Sequence, residues 1–69
     1  MRIKFDDRKM RMLLYDKKLT QTKVSELSNV SRPIVAKAFS GKTCSEETGL
    51  KICKALDIDI NEYATFNRF

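Results

Sequence analysis

Apolar residues recur at helical spacing along most of this chain, and residues that cap helices interrupt the series. With only one proline and two glycines in 69 residues, that pattern restricts the fold to a set of short amphipathic helices. Asp6 or Asp7 is placed to cap a first helix running to about Lys17, with Met10, Leu13 and Leu14 as its buried face. Phe5, just ahead of the cap, is placed to act as a hydrophobic staple. Leu19 is expected to fold back into the core, and Thr20 to cap a second helix from Gln21 to about Leu27. Asn29 stands where the chain must reverse, because Asn tolerates the left-handed conformation that closes helices. Ser31 is the next cap, and Pro33 falls in the first turn of a third helix, where its missing N–H does no harm. That helix spans about Arg32 to Phe39 and stops at Ser40-Gly41.

Thr43 and Glu46 have the spacing of a capping box ahead of a fourth helix, which runs through Leu56. Gly49, Ile52, Cys53 and Leu56 form its inward face, the glycine at a cost of about 1 kcal/mol in helix propensity. Asp59 to Tyr63 reads as a last short turn. Met1, Ile3 and Phe5 alternate, as do Ala64, Phe66 and Arg68, which leaves room for a short terminal strand pair. The expected fold is therefore all-α, a compact domain of four to five helices, with or without that strand pair.

Charge is divided unevenly along the chain. Residues 1–42 hold eleven Lys and Arg against four Asp and Glu, whereas residues 43–69 hold three against five. A basic face toward a polyanion and a neutral or acidic remainder follow from such asymmetry. No apolar stretch approaches the roughly 20 residues that span a bilayer, and Met1 to Phe5 is not the start of a secretory signal, so no membrane role is expected. Two cysteines and no histidine leave no metal site and no histidine catalysis; with no secretion signal, the thiols are expected to be reduced, in a cytoplasmic protein. Cys53 is expected in the core and Cys44 as a free thiol in a loop. With no glycine-rich phosphate loop and no nucleophile–base pair, neither an enzyme, nor a cofactor, nor a small-molecule substrate is expected.

The stretch Leu19-Thr20-Gln21, then Val24-Ser25-Glu26, then Asn29-Val30-Ser31-Arg32, then Gly41-Lys42, resembles the phage Cro and lambda-type repressor helix-turn-helix family. The run Thr48 to Leu56 resembles the fourth helix of the same family, and the opening Ile3-Lys4-Phe5-Asp6 looks like short regulators from phages of Gram-positive bacteria. The resemblance covers residues 6–63. It implies a single lambda-repressor-like domain over 1–69, with the helix-turn-helix at about 20–39, an N-terminal arm at 1–5 and a tail at 64–69. Where the family usually has alanine and glycine, this chain has Ser25, whose hydroxyl needs a partner, and Asn29.

What the resemblance implies about function is a sequence-specific double-stranded-DNA-binding transcriptional regulator, with the helix 32–39 in the major groove. Base contacts would come from Arg32 and Lys37, and apolar contact with a thymine methyl from Pro33 and Ala36. Lys37, five residues beyond Arg32, is expected on nearly the same face. Gln21, Ser31, Lys42 and Thr43 would touch phosphates. Val24, Val30, Val35 and Ala38 would pack the two helices together.

Such regulators commonly act as homodimers on paired half-sites, here through the fourth helix or the tail, with Phe66 and Phe69 as anchors. Met12, Tyr15, Leu27, Ile34 and Phe39 are apolar where the family is usually polar. Tyr15 or Phe39 can also fill the space beside Gly49. From this surface follows a second expectation, an antirepressor or corepressor that binds a partner repressor protein. Leu27, Ile34, Phe39, Phe66 and Phe69 would be its contacts.

Overall fold

The structure, a computed structural model, describes residues 2–67. In chain order its elements are β1 (Arg2–Phe5), α1 (Asp7–Lys17), α2 (Gln21–Ser28), α3 (Arg32–Phe39), β2 (Thr43–Ser45), α4 (Glu46–Leu56), α5 (Ile60–Tyr63) and β3 (Ala64–Asn67). The five helices lie where the apolar spacing puts them, and β1 pairs antiparallel with β3, Ile3 opposite Phe66. The third strand is the departure. β2 pairs antiparallel with the other side of β1, Ile3 opposite Cys44, giving the order β2-β1-β3.

That pairing corrects two expectations drawn from the linear sequence. Cys44 is not a loop thiol: as the middle residue of β2 it turns inward with Ile3 and is buried. Nor does Thr43 cap the fourth helix. Thr43 and Cys44 are taken up by the strand, so α4 starts later, with Ser45 as its cap and the Thr48 amide donating to the Ser45 hydroxyl at 3.2 Å. Two residues of similar cap chemistry stand two positions apart, and only the pairing with β1 chooses between them.

The other caps follow the local sequence. The Arg8 and Lys9 amides donate to the Asp6 carboxylate at 3.1 and 3.2 Å, the Lys23 amide to the Thr20 hydroxyl at 3.2 Å, and the Asn61 amide to the Asp59 carboxylate at 2.9 Å. Helices α1, α2 and α4 close on left-handed residues, Lys18, Asn29 and Asp57, with φ of 55°, 58° and 57°. Leu19 and Phe66 pack against one continuous core that includes Phe5, Met10, Leu13, Leu14, Val24, Val35, Ile52 and Leu56.

Phe39 belongs to that core as well, at 1% exposure, and so offers nothing to a partner protein. Position 39 lies about 20° around the helix from Arg32 and next to the buried Val35, and at the C-terminal end of α3 its ring is taken into the core. Tyr15 does not fill the space beside Gly49, where the nearest side chains are Ile3 and Ile60. Tyr15 itself stands 85% exposed. Phe66, half-buried, lies in the strand paired with β1; Phe69, the other expected tail anchor, lies outside the described residues.

Both thiols are buried and free. Desolvation raises the Cys44 pKa, against a smaller lowering by Arg2. The Cys53 pKa is pushed up to about 11, first by burial and then by Asp59 and Cys44. The folded state thus holds the Cys53 proton where the unfolded chain, with an ordinary value of 9.0, releases it. Its contribution to stability is complete below pH 9 and is lost as pH rises toward 11. Urea midpoints should fall between pH 8.5 and about pH 10.5, and fall less in Cys53→Ala. An equal fall in that variant would contradict the assignment.

Candidate nucleic-acid interface

Two short helices and a three-residue turn form one rigid unit. α2 ends at Ser28; Asn29 takes the left-handed conformation that turns the chain, and Val30 and Ser31 lead into α3. Val24, Val30, Val35 and Ala38 are buried between the helices and the core. The Ser25 hydroxyl donates to the Val30 carbonyl, and the Ser28 hydroxyl to the Val24 carbonyl at 2.6 Å. Ser25 thereby finds the partner its hydroxyl requires, and its bond ties α2 across the turn to the residue before the cap of α3. An apolar hinge closed by hydrogen bonds of this kind holds the crossing of two helices that have too few turns to be stable alone.

On α3, Arg32, Pro33, Ile34, Ala36 and Lys37 are exposed, and Val35, Ala38 and Phe39 are buried. At about 100° per residue, the exposed side chains are ordered around the helix as Arg32, Ala36, Pro33, Lys37 and Ile34. Lys37 therefore does not share a face with Arg32. It stands about 140° around the helix, at the far margin of the exposed arc. Five residues are nearly a turn and a half, so the two cations bracket the apolar strip of Ala36 and Pro33.

Ser31 sits at the cap position of α3, but its side chain makes no cap hydrogen bond, which leaves its hydroxyl at the surface. Gln21 and Lys42 are exposed, and Thr43 is half-buried. Gln21 is the first residue of α2, whose opening amides have no acceptor within the helix. Lys42 follows Gly41, whose φ of 80° turns the chain out of α3 toward β2. Among the described residues the ion pairs are Asp7–Arg11, Lys23–Glu26 and Glu47–Lys51, all on exposed helix surface. Arg32, Lys37 and Lys42 take part in none of these, so their charge remains available to a polyanion.

One further residue joins this surface without having been expected there. Arg2 reaches from β1 to β2, its Nη2 donating to the Thr43 carbonyl at 3.3 Å and to the Thr43 hydroxyl at 3.2 Å. Arg2, Thr43, Lys37 and Ile34 border one shallow depression. No local signal connects Arg2 to Thr43, which lies 41 residues away; only the strand register brings them together. Among the described residues no group of three His, Cys, Asp or Glu side chains could hold a metal ion, and no helix is long and apolar enough to cross a membrane.

Comparison with known proteins agrees with this architecture. The family model of the Cro/C1-type HTH DNA-binding domain matches residues 9–68. The crystal structure of the transcriptional regulator VanUg superposes with a TM-score of 0.71 at 23% sequence identity, covering 93% of this chain and 83% of that one. At that identity the likeness speaks for the fold. No curated protein matches the sequence significantly.

Proposed function

Since this chain belongs to the Cro/C1-type HTH DNA-binding domain family, we propose that it is a sequence-specific transcriptional regulator that reads double-stranded DNA through the major groove with α3. The observation that carries this reading is the exposed arc of α3. Two cations without ion-pair partners among the described residues flank an apolar strip of small side chains, on a helix locked to α2 by a buried valine hinge. A helix that fits a groove about 12 Å wide needs such a low, outward-facing surface.

Arg32 opens the helix and is the candidate for bidentate contact with guanine O6 and N7. Ala36 and Pro33 offer apolar contact to thymine methyls. Gln21 and the first amides of α2 face one backbone strand, while the free hydroxyl of Ser31, with Lys42 and Thr43, serves other phosphates. Lys37, at the margin of the arc, is suited to a base at the groove edge or to its flanking phosphate.

The test is selection from a duplex library with a randomised core, at about 50 and 200 mM salt, followed by sequencing of the bound fraction. An enriched motif is expected, and two inverted copies at one helical turn would show that two protein molecules bind together. Weak, salt-sensitive binding without an enriched motif would overturn this reading in favour of a protein partner. On the selected site, Arg32→Ala should cost about 1–3 kcal/mol and relax the preference at one base pair. A loss equal on all sequences would assign Arg32 to the backbone instead.

A further inference from the structure

We propose that the depression between α3 and the outer face of the sheet is a seat for a phosphate of the DNA backbone flanking the base-reading helix, with Arg2 and Lys37 as its cationic ligands. The inference rests on the DNA-binding reading above and adds β1, an element outside the helix-turn-helix, to the DNA-contacting surface.

The donor set is the first argument. The depression, about 240 Å³, is lined by Arg2, Ile34, Lys37, Thr43, Ser45 and Thr48, together with Cys44, and among the described residues no carboxylate lies in its walls. A water occupies about 30 Å³ of liquid, so a phosphodiester group fits with hydration to spare. Glu46 and Glu47 follow Ser45 in sequence but are not part of the lining, and Glu47 pairs with Lys51 at 3.8 Å. Another surface cleft, about 280 Å³ between α1 and α5, sets two carboxylates, Asp16 and Glu62, against one cation, Lys9, and is less suited to the same ligand.

Preorganisation is the second argument. Arg2 is exposed, yet its guanidinium is held: Nη2 is spent on the Thr43 carbonyl and hydroxyl at 3.3 and 3.2 Å. A guanidinium has five N–H donors, so Nε and Nη1 keep hydrogens that can each donate singly to an anion, while both forked edges of the group include the Nη2 already held by Thr43. Holding the side chain in advance lowers the entropy lost on binding. Beneath it, the Ser45 hydroxyl donates to the Thr48 hydroxyl at 2.8 Å, which leaves the Thr48 proton as a further donor.

Continuity with α3 is the third argument. Lys37 and Ile34 form both the margin of the reading arc and one wall of the depression. A helix seated in a major groove has a phosphate backbone on each side. The depression lies at the Lys37–Ile34 margin of the arc, where one of these backbones would run. Lys4, exposed next along β1 and opposite Thr43, extends the positive surface along the same strand.

The experiment measures affinity of the full chain for its selected duplex across a salt series, for the native protein, Arg2→Ala, Arg2→Gln and Thr43→Val. Both Arg2 variants should bind about tenfold more weakly, equally on selected and unrelated duplexes. The slope of log K against log salt should be shallower by about 0.9, the loss of one phosphate contact. Thr43→Val, which keeps the shape and β propensity but not the hydroxyl, should weaken binding a few-fold with the slope unchanged.

Thermal melting establishes that each variant is folded, and Arg2→Gln guards against an alanine-specific effect on the strand. If the native protein binds DNA and both Arg2 variants match it in affinity and slope, the phosphate seat is wrong while the DNA-binding reading stands. A loss that depends on the base sequence beside the site would also overturn it, since it would mark a base contact. If the native protein binds no duplex, both readings fall together.

Discussion

Phe39→Ala is expected to destabilise the protein by about 3–5 kcal/mol, which leaves little folded chain at 37 °C. A domain of this length has roughly 3–10 kcal/mol of stability in all, and Phe39 is one of its two largest fully buried side chains. It is also the last residue of α3, so its ring fixes the end of the helix opposite Arg32. Truncation would leave a cavity against the core and release the reading helix from its mount, and DNA affinity should fall with stability. Denaturant unfolding at two temperatures measures the first effect, and Phe39→Leu, which keeps most of the volume, should restore much of it. A cost below about 1 kcal/mol would mean that the ring is not a core group, and would return Phe39 to the surface as a partner contact.

Gly49→Leu should be comparably damaging, at about 3 kcal/mol or more. Even a single Cβ at this position would overlap Ile3 Cδ1 and approach Ile3 Cγ1 and Ile60 Cδ1 to 3.2 and 3.3 Å. The glycine is therefore the price of bringing α4 down onto β1. Alanine alone would improve helix propensity by about 1 kcal/mol, yet Gly49→Ala is expected to be net destabilising because the fully buried Ile3 must shift its Cδ1 to admit the methyl group. Ile3→Val removes the offending Cδ1 atom. By itself it should cost about 0.5–1.5 kcal/mol, but in the Gly49→Ala background it should be neutral or stabilising. Strict additivity of the two substitutions would show that the contact does not limit the packing.

The helices, the caps of α1, α2 and α5 and the reversal at Asn29 were legible because each depends on residues within a turn or so of one another. Asp6, Thr20 and Asp59 bind amides two or three positions ahead. Val24 and Val35 show their burial by periodicity alone. Lys37 is the exception: it is expected from the sequence on nearly the same face as Arg32, whereas five residues at 100° each set the two about 140° apart.

By itself, then, the sequence determined the helices, with the fifth as an option, and the helix-turn-helix with its buried valines, because short-range hydrogen bonds and helical periodicity are written in neighbouring residues. Only the tertiary structure decided the rest. β2 exists because Cys44 can be buried opposite Ile3, and that pairing moved the cap of α4 from Thr43 to Ser45. Which residues fill the space beside Gly49 depends on Ile3 and Ile60, far from it in the chain or on another element. The meeting of Arg2 with Thr43 and Lys37 has the same origin. A strand register joins residues some forty positions apart, and it is selected by how much apolar surface the whole chain can bury, a quantity no local stretch contains.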